Sequence, residues 1–388
     1  MEFESSLKLA ERMGINVRTV QLWAKNGKLP GAYKLGRDWM IPITVGEYLK
    51  TSPELANMCD PLPLMNSAFE EGEAKKFIET IEDKQIHRIA LGEYYYFTGQ
   101  VQKACEAIES YLRDCDGKDN ASAWIVYSFS CMALGKTRLA KVVAECVAKM
   151  VHTAIDADIP AIFKATCVFL AKTSRVIITN QDIEDVPLKD YIKYLTGGFR
   201  AFSCFTLSQE ACFKGQFGRA SGIAEMGIAL MDDEYPLAKI HLEIASAMAH
   251  LGLKEVSKAS EHLLRAWNLA EKDGFYQPFV EHFTSIQHLL VDCIDEHHHD
   301  KYKKISEAAV VFSSSRRRLA RHDDYDEISK PLTSKELVAV VLMNADASNA
   351  EIAQALDISV TAVKEMIPGL LMKLGVNNKK EMLKFFER

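Results

Sequence analysis

The sequence lacks several features that define whole classes of protein. It has no run of about 18 uncharged apolar residues, which excludes a transmembrane helix. Its nine cysteines, an odd number without a C-x-x-C pair, lie mostly in apolar helical patterns, where a thiol behaves as a small hydrophobe. The first residues are acidic and have no long apolar core, unlike a secretory signal. We therefore expect a reduced, cytoplasmic protein without a membrane partner.

Catalytic and cofactor motifs are also missing, so we expect no enzyme activity, no cofactor and no metal. No nucleophile pairs with a base, and no carboxylates pair in a local context. Gly135, Lys136 and Thr137 resemble the end of a phosphate-binding loop, but Ser130 stands where that motif needs glycine. Three consecutive histidines within 295–300 would point in different directions on a helix, which favours a solvated loop over a metal site.

Composition and charge indicate a folded protein whose ends differ from its middle. Of the 388 residues, 48% are hydrophobic and 26% charged, as in ordinary folded proteins. The net charge of −6 is uneven: residues 1–50 carry eight basic and five acidic side chains, and residues 331–388 carry seven of each. The acidic middle repels nucleic acid, so a nucleic-acid interface must lie at the ends.

Two stretches predict linkers and divide the chain. Residues 51–66 contain three prolines, too many for a continuing helix. Residues 313–331 combine a serine run, three arginines and an acidic cluster, which is typical of a charged linker. Between them, residues 67–312 show helical apolar spacing almost throughout. The remaining units are residues 1–50 and 332–388.

The first unit predicts two short helices followed by a hairpin. One helix ends at Gly14, and a second runs from Val17 to about Asn26, after which a glycine and a proline prevent its continuation. The segments Ala32–Lys34 and Trp39–Ile41 predict the two strands of the hairpin. This order of elements is typical of a winged helix-turn-helix.

The second helix can carry DNA contacts on the face opposite its apolar residues. The string "AERMGINVRTVQLWAKNGKLPGAYKLGRDWMIP" resembles the MerR-like and excisionase-type winged helix-turn-helix. Arginine and glutamine suit base edges, and lysine suits phosphates. The predicted DNA-binding residues of this unit are Arg18, Thr19, Gln21, Lys25, Lys34 and Arg37. The alternative is a protein-binding module with a solvated basic face.

The last unit contains two S/T-x-x-E capping boxes, Thr333–Glu336 and Ser348–Glu351, which mark two helix starts. With them, the strings "LTSKE", "SNAEIAQALDIS", "AVK" and "KLGVNN" stand in an order that resembles the LuxR-type helix-turn-helix. The resemblance implies a four-helix domain whose DNA contacts include Thr361, Lys364 and Lys373.

A proline in the predicted recognition helix leaves two interpretations of this domain open. Pro368 removes the hydrogen bond to the Lys364 carbonyl, at about 3 kcal/mol in a normal helix, and predicts a kink or break beyond Lys364. The domain then either contacts DNA or serves mainly for dimerisation. Relatives of this type often dimerise through the last helix, whose apolar residues here are Met382, Leu383, Phe385 and Phe386.

The middle of the chain resembles tetratricopeptide repeats. Gly99, Gly135 and Gly215 occupy the turn positions of three predicted helix pairs, and a looser fourth pair spans 238–270 around Gly252. Such pairs stack into a superhelix whose concave face binds peptides, proteins or small effectors. Aromatic clusters at residues 94–96 and 199–202 favour a core role over a ligand pocket.

Together these patterns predict a mainly α protein: a tetratricopeptide-like superhelix between an N-terminal winged helix-turn-helix and a C-terminal LuxR-type helix-turn-helix. The predicted function is a homodimeric regulator of transcription that binds double-stranded DNA and senses a peptide, protein or small-molecule effector in its repeat groove. One alternative is an adaptor whose repeats recruit a protein, whose first unit alone binds DNA and whose tail dimerises. Another is an enzyme with a site hidden in the repeats.

Overall fold

The structure, a computed structural model, is mostly helical. It describes residues 3–13, 17–25, 29, 32–43, 62–114, 121–156, 169, 188–192, 195, 197–320 and 332–386. The first part of the predicted linker, residues 51–61, lies outside these ranges. Among the described residues, no helix is long and apolar enough to cross a membrane.

The described residues of the N-terminal unit form two helices and a three-stranded antiparallel sheet. Its elements are β1 Phe3–Ser5, α1 Ser6–Met13, α2 Val17–Lys25, β2 Tyr33–Leu35 and β3 Asp38–Pro42, with sheet order β1-β3-β2. Both helices and the hairpin agree with the sequence prediction, whereas β1 was not predicted. Val20, Trp23 and Ala24 are buried, so α2 turns the expected face to its core.

In the described residues twelve helices follow, and most consecutive helices pack together. Their bounds are α3 Ala74–Glu79, α4 Lys84–Phe97, α5 Val101–Arg113, α6 Ala121–Ala133, α7 Thr137–Asp156, α8 Leu188–Tyr191, α9 Gly197–Phe213, α10 Phe217–Ala229, α11 Pro236–Gly252, α12 Val256–Asp273, α13 Gln277–Leu290 and α14 Glu296–Ala320. We call α4–α14 the array. Within it α4 contacts α5 and α6, and α9 contacts α10 and α11, so helices meet their next and next-but-one neighbours.

The turns between paired helices share one geometry. Gly99, Gly135 and Gly215 have positive φ angles of 74°, 81° and 70°, a conformation that favours glycine. The fourth turn differs from the prediction, because Lys254 and not Gly252 takes this conformation, with φ 63°. Gly252 instead lies against the Phe217 ring.

One side-chain hydrogen bond recurs in two of the pairs. The Ser128 hydroxyl donates to the Ala140 carbonyl, and the Ser208 hydroxyl donates to the Ala220 carbonyl, both at 2.8 Å. In each case donor and acceptor are 12 residues apart and join the two helices of a pair. The same buried hydrogen bond therefore joins the two helices of α6–α7 and of α9–α10.

Residues 62–73, which we call the strap, run through the array. Its first residues, 62–67, are all buried, so the end of the predicted linker is part of the core. Prolines exclude a helix here, but they do not expose the chain. The Leu62 N–H donates to Ser122 at 2.9 Å, and the Phe199 N–H donates to the Asn66 side chain at 3.1 Å. A segment of the same chain thus lies across the helix pairs, as a bound peptide would.

Two predictions for the end of the array are wrong. The segment 295–300 is not a loop, because a π-helical turn Val291–Asp295 leads into α14, where the His298 ring packs 5.3 Å from the Trp267 ring. The charged linker does not begin at residue 313, because α14 continues to Ala320. Buried Phe312 and Leu319 hold that last stretch of helix against its neighbours. Residues 321–331 lie outside the described ranges.

The C-terminal domain has the four predicted helices and packs on the array. They are α15 Ser334–Asn344, α16 Asn349–Ala355, α17 Val360–Lys373 and α18 Lys379–Phe386. Helices α15 and α16 contact α5, and α18 contacts α7. Met382 and Phe386 are fully buried, and the Arg138 guanidinium of α7 lies 4.5 Å from the Phe385 ring centre. Part of the apolar surface predicted for dimerisation is therefore covered within the chain.

Candidate effector cavity and nucleic-acid interfaces

One candidate ligand site is a cavity inside the array, of about 820 Å³ including its open mouth. Its walls are largely aromatic, and Leu62 and Met65 of the strap form part of its rim. The aromatic lining residues are Tyr96, Phe97, Phe129, Phe202, Phe205 and Phe312. Such an apolar volume with a few polar groups is typical of a small-molecule site. In the two aromatic clusters expected to be core, Tyr94, Tyr96, Phe199 and Phe202 are all buried in the core, and Tyr96 and Phe202 also line the cavity.

One end of the cavity is polar and largely buried. The Tyr96 hydroxyl donates to Glu281 Oε1 at 2.7 Å, and Glu281 Oε2 lies 3.8 Å from His241 Nε2. Burial, together with the nearby charge of Glu281, raises the pKa of the Tyr96 phenol well above its usual value, so this hydroxyl stays protonated. Burial lowers the pKa of His282 to about 4, so its imidazole is neutral at neutral pH.

The N-terminal unit presents basic side chains on α2 and on the hairpin. Lys25, Lys34 and Arg37 are all exposed, as an interface with phosphates requires. Arg18 is also exposed, and its guanidinium approaches Glu82 of the chain at 3.6 Å. An exposed pair of this kind is weak, so DNA phosphates can displace it. The side chain of Thr19 lies outside the part of the chain that the structure describes.

Gln21 has a second role besides the predicted base contact. Its amide Nε2 donates to the Ser6 hydroxyl at 3.4 Å, and this hydroxyl donates to Asp38 at 3.0 Å. The chain of bonds ties α2 to the start of α1 and to β3. Gln21 is half-buried, and reading a base would require it to leave Ser6.

Both capping boxes are confirmed in the C-terminal domain, and a third cap begins its long helix. Thr333 and Ser348 each exchange hydrogen bonds with the glutamate three residues later. Ser359 caps α17 by accepting the Ala362 N–H at 3.1 Å. The cap places Thr361 and Lys364 on the first two turns of α17, where both side chains are exposed.

Helix α17 is not interrupted by its proline. The helix continues through Pro368 to Lys373, so the expected break after Lys364 is not found. Buried Val363 and Leu370 hold the helix on both sides of the proline, and this packing outweighs one missing hydrogen bond.

Lys373, predicted to contact DNA, lies instead against α15. Its amino group is 2.6 Å from Glu336 Oε2, and both side chains are largely buried. Burial acts to raise the pKa of Glu336, but hydrogen bonds from Lys373 and Thr333 outweigh burial. The pKa is therefore lowered, and Glu336 stays ionised. The pair therefore links α17 to α15, and the structure leaves Thr361 and Lys364 as the outward polar residues of the three predicted for this domain.

Comparison with known proteins identifies this last domain. Residues 330–386 match the family described as bacterial regulatory proteins, luxR family. They form a LuxR-type helix-turn-helix.

Relatives of known role share a longer stretch of sequence with the chain. The HTH-type transcriptional regulator MalT of Klebsiella pneumoniae strain 342 is 29% identical over 148 residues, which is 32% of this chain and 16% of the relative. MalT of Yersinia pestis strain Pestoides F is 32% identical over 154 residues, 34% of this chain and 16% of the relative. The matches thus span about a sixth of each relative. No solved structure gives a significant match.

The sequence analysis missed the polar cluster of the cavity, formed by His241, Glu281 and His282. These residues come from α11 and α13, which are distant in sequence. The local signal was weak: His241 stands between the apolar Ile240 and Leu242, and an isolated histidine at such a position is usually structural. The cluster became visible only when the two helices were placed side by side.

Proposed function

We propose that this protein is a DNA-binding regulator of transcription, whose array senses an effector in the cavity and controls two DNA-binding units. The observation that carries the proposal is the LuxR-type domain at 330–386, whose capped helix α17 presents Thr361 and Lys364 to solvent. The MalT relatives are named transcriptional regulators, which supports the same role and no enzyme activity.

The N-terminal unit acts in this proposal as a winged helix-turn-helix. Two packed helices with an adjacent hairpin are the elements that such a unit requires, and Lys34 and Arg37 lie on or beside the hairpin strands. The array between the two units corresponds to tetratricopeptide-like repeats, which the recurring Ser128 and Ser208 hydrogen bonds support.

The structure also suggests how the array communicates with both units. The strap forms part of the cavity rim and follows the N-terminal unit in the chain, while α5 and α7 hold the C-terminal domain. An effector that moves the strap or α7 would change the position of either unit. Homodimerisation through α18 is part of the proposal, and it requires Met382 and Phe386 to leave the array.

Replacing Lys364 with alanine should weaken DNA binding equally on all sequences. Affinity falls as salt rises, and each lost phosphate contact makes the slope of log affinity against log salt shallower by about 0.9. We would select bound fragments from a genomic library with the full chain, then measure affinity at several salt concentrations. Lys304→Ala, which removes an exposed lysine from α14, is the control for general charge and should leave the slope unchanged.

The adaptor alternative makes the opposite prediction for the same assay. If only the N-terminal unit binds DNA, Lys364→Ala has no effect, whereas Lys34→Ala combined with Arg37→Ala abolishes binding. The fact that Lys373 is engaged by Glu336 is the one observation that favours this alternative. Failure of the unaltered chain to retain any fragment would contradict both.

Filling the cavity should abolish the response to a small-molecule effector. Thr206 lines the cavity and is half-buried, so Thr206→Phe places a ring in its volume. Small metabolites that raise the Tm of the unaltered chain should no longer do so in this variant. Thr80→Phe, at an exposed threonine outside the cavity, is the matched control and should respond normally. An undiminished response in Thr206→Phe would place the effector elsewhere.

A further inference from the structure

The buried polar cluster of the cavity has the composition of a metal site. His241 lies on α11, and Glu281 and His282 lie on α13. One potential ligand atom from each of the three residues lies within 4.8 Å of the other two. Two imidazoles and one carboxylate are the protein ligands of many zinc sites that keep one coordination position open.

The tautomer of His241 is fixed by the backbone. Its Nδ1 lies 2.8 Å from the Leu237 carbonyl oxygen, which can only accept, so Nδ1 carries a proton. The other ring nitrogen, Nε2, faces Glu281 Oε2 at 3.8 Å. That distance is too long for a direct hydrogen bond but leaves room for an ion between two electron-pair donors. An imidazole held through Nδ1 by a carbonyl is the usual arrangement of a metal-binding histidine.

The third member has an unused ligand atom. Nε2 of His282 is buried and has no hydrogen-bond partner, which is costly in a low-dielectric interior. Its Nδ1 lies 3.4 Å from Gln209 Nε2, an amide that can turn to accept a proton from the ring.

Glu281 is positioned for the same role. Its Oε1 accepts the Tyr96 hydroxyl at 2.7 Å, which fixes the carboxylate and leaves Oε2 toward the two histidines. A carboxylate oriented by an outer hydrogen bond is typical of metal ligands. We propose that His241, Glu281 and His282 bind a divalent transition-metal ion of the zinc class, with the open coordination position facing the aromatic cavity.

A second group of similar composition is not proposed as a metal site. Glu225, His250 and His262 also approach one another. However, His250 already pairs through Nδ1 with Glu255 at 2.7 Å and through Nε2 with Glu225 at 3.1 Å, and His262 Nδ1 pairs with Glu243 at 2.7 Å. These contacts already engage both histidines, so this second group serves as the control.

The metal gives the cavity a chemical preference. An effector that donates an oxygen or nitrogen atom to the open position, and places an apolar or aromatic body against Phe202 and Phe205, would fit both ends. The claim that the metal helps to bind a regulatory effector rests on the proposed function. The claim that the three residues bind a metal does not.

Titration of the purified, metal-free full chain with Co²⁺ tests the site, because tetrahedral Co²⁺ has strong visible absorption. We expect one Co²⁺ per chain, displaced by Zn²⁺. Glu281→Gln and His282→Gln keep the side-chain size and should each abolish the absorption. Tyr96→Phe removes only the outer hydrogen bond and should weaken affinity about 10–100-fold. His250→Gln should bind normally.

Circular dichroism and thermal unfolding of each variant establish that loss of metal is not loss of fold. Absence of Co²⁺ binding by the unaltered chain would overturn the proposal, as would full binding by Glu281→Gln and His282→Gln. Loss of Co²⁺ binding in His250→Gln alone would assign the metal to the group of Glu225, His250 and His262 instead. Because the titration contains no DNA, a negative result leaves the regulatory proposal intact, and failure to bind DNA leaves the metal site intact.

Discussion

Replacing Glu93 with alanine should lower the free energy of unfolding by about 2–6 kcal/mol, because two buried N–H groups lose their acceptor at about 1–3 kcal/mol each. The Glu93 carboxyl accepts the N–H of Leu64 through one oxygen and that of Met65 through the other, both at 2.9 Å. Glu93 is only 1% exposed, so water cannot replace it. Urea denaturation followed by circular dichroism measures the change.

Glu106→Ala is the matched control for this substitution. Glu106 is an exposed glutamate on the neighbouring helix α5, and its nearest polar contact is the Gln102 amide at 3.3 Å. Its removal should change stability by no more than about 0.5 kcal/mol. Equal losses in the two variants would mean that the strap is not held by Glu93. Release of the strap should also open the cavity rim, so any effector identified by thermal shift should bind Glu93→Ala more weakly.

The second large effect is expected at Gly198, where α9 meets the strap. A Cβ atom at this position would lie 2.1 Å from the Met65 carbonyl oxygen and 3.1 Å from the Asn66 Cα. Both are backbone atoms, so no side-chain rotation relieves the overlap, and either α9 or the strap must move. Gly198→Ala should destabilise the protein by about 1–3 kcal/mol or more and lower its Tm in calorimetry.

Gly222→Ala is a control that should change stability in the opposite direction. Gly222 lies within helix α10, and a Cβ there would meet no atom within 4 Å. Alanine at an open helical position should stabilise the protein by up to about 1 kcal/mol, because glycine is the poorer helix former. A rise in Tm for both variants would show that the strap does not approach α9 as closely as described.

Local signals predicted much of the fold. The predicted capping boxes at Thr333 and Ser348 are confirmed, and they are predictable because the groups that form them lie within three residues of each other. The glycine turns at Gly99 and Gly135 were predicted for the same reason. By contrast, β1 is only three residues long and is stabilised by pairing with β3, a contact that no local pattern reveals.

The candidate sites were predicted less completely than the helices. Lys364 is exposed as expected, since a helical period turns it about 100° away from the buried face that Val363 and Leu370 share. Lys373 has the same residue type but meets Glu336, a partner 37 residues away. The cavity cluster could not be predicted without knowing that helices α11 and α13 are neighbours. The strap could not be predicted without knowing that a proline-rich segment lies in the core of the array.

The strap also sets an order of events during synthesis. It leaves the ribosome before the helices that hold it, and the Ala74 N–H just beyond it waits for Asp273, 199 residues later, as its acceptor. At about 5–20 residues per second, roughly 10–40 s pass between the two. Throughout that interval Leu62, Leu64 and Met65 are apolar side chains of a nascent chain without their final neighbours. A polypeptide that stalls before α12 is complete is therefore expected to be a chaperone substrate, while the finished chain is not.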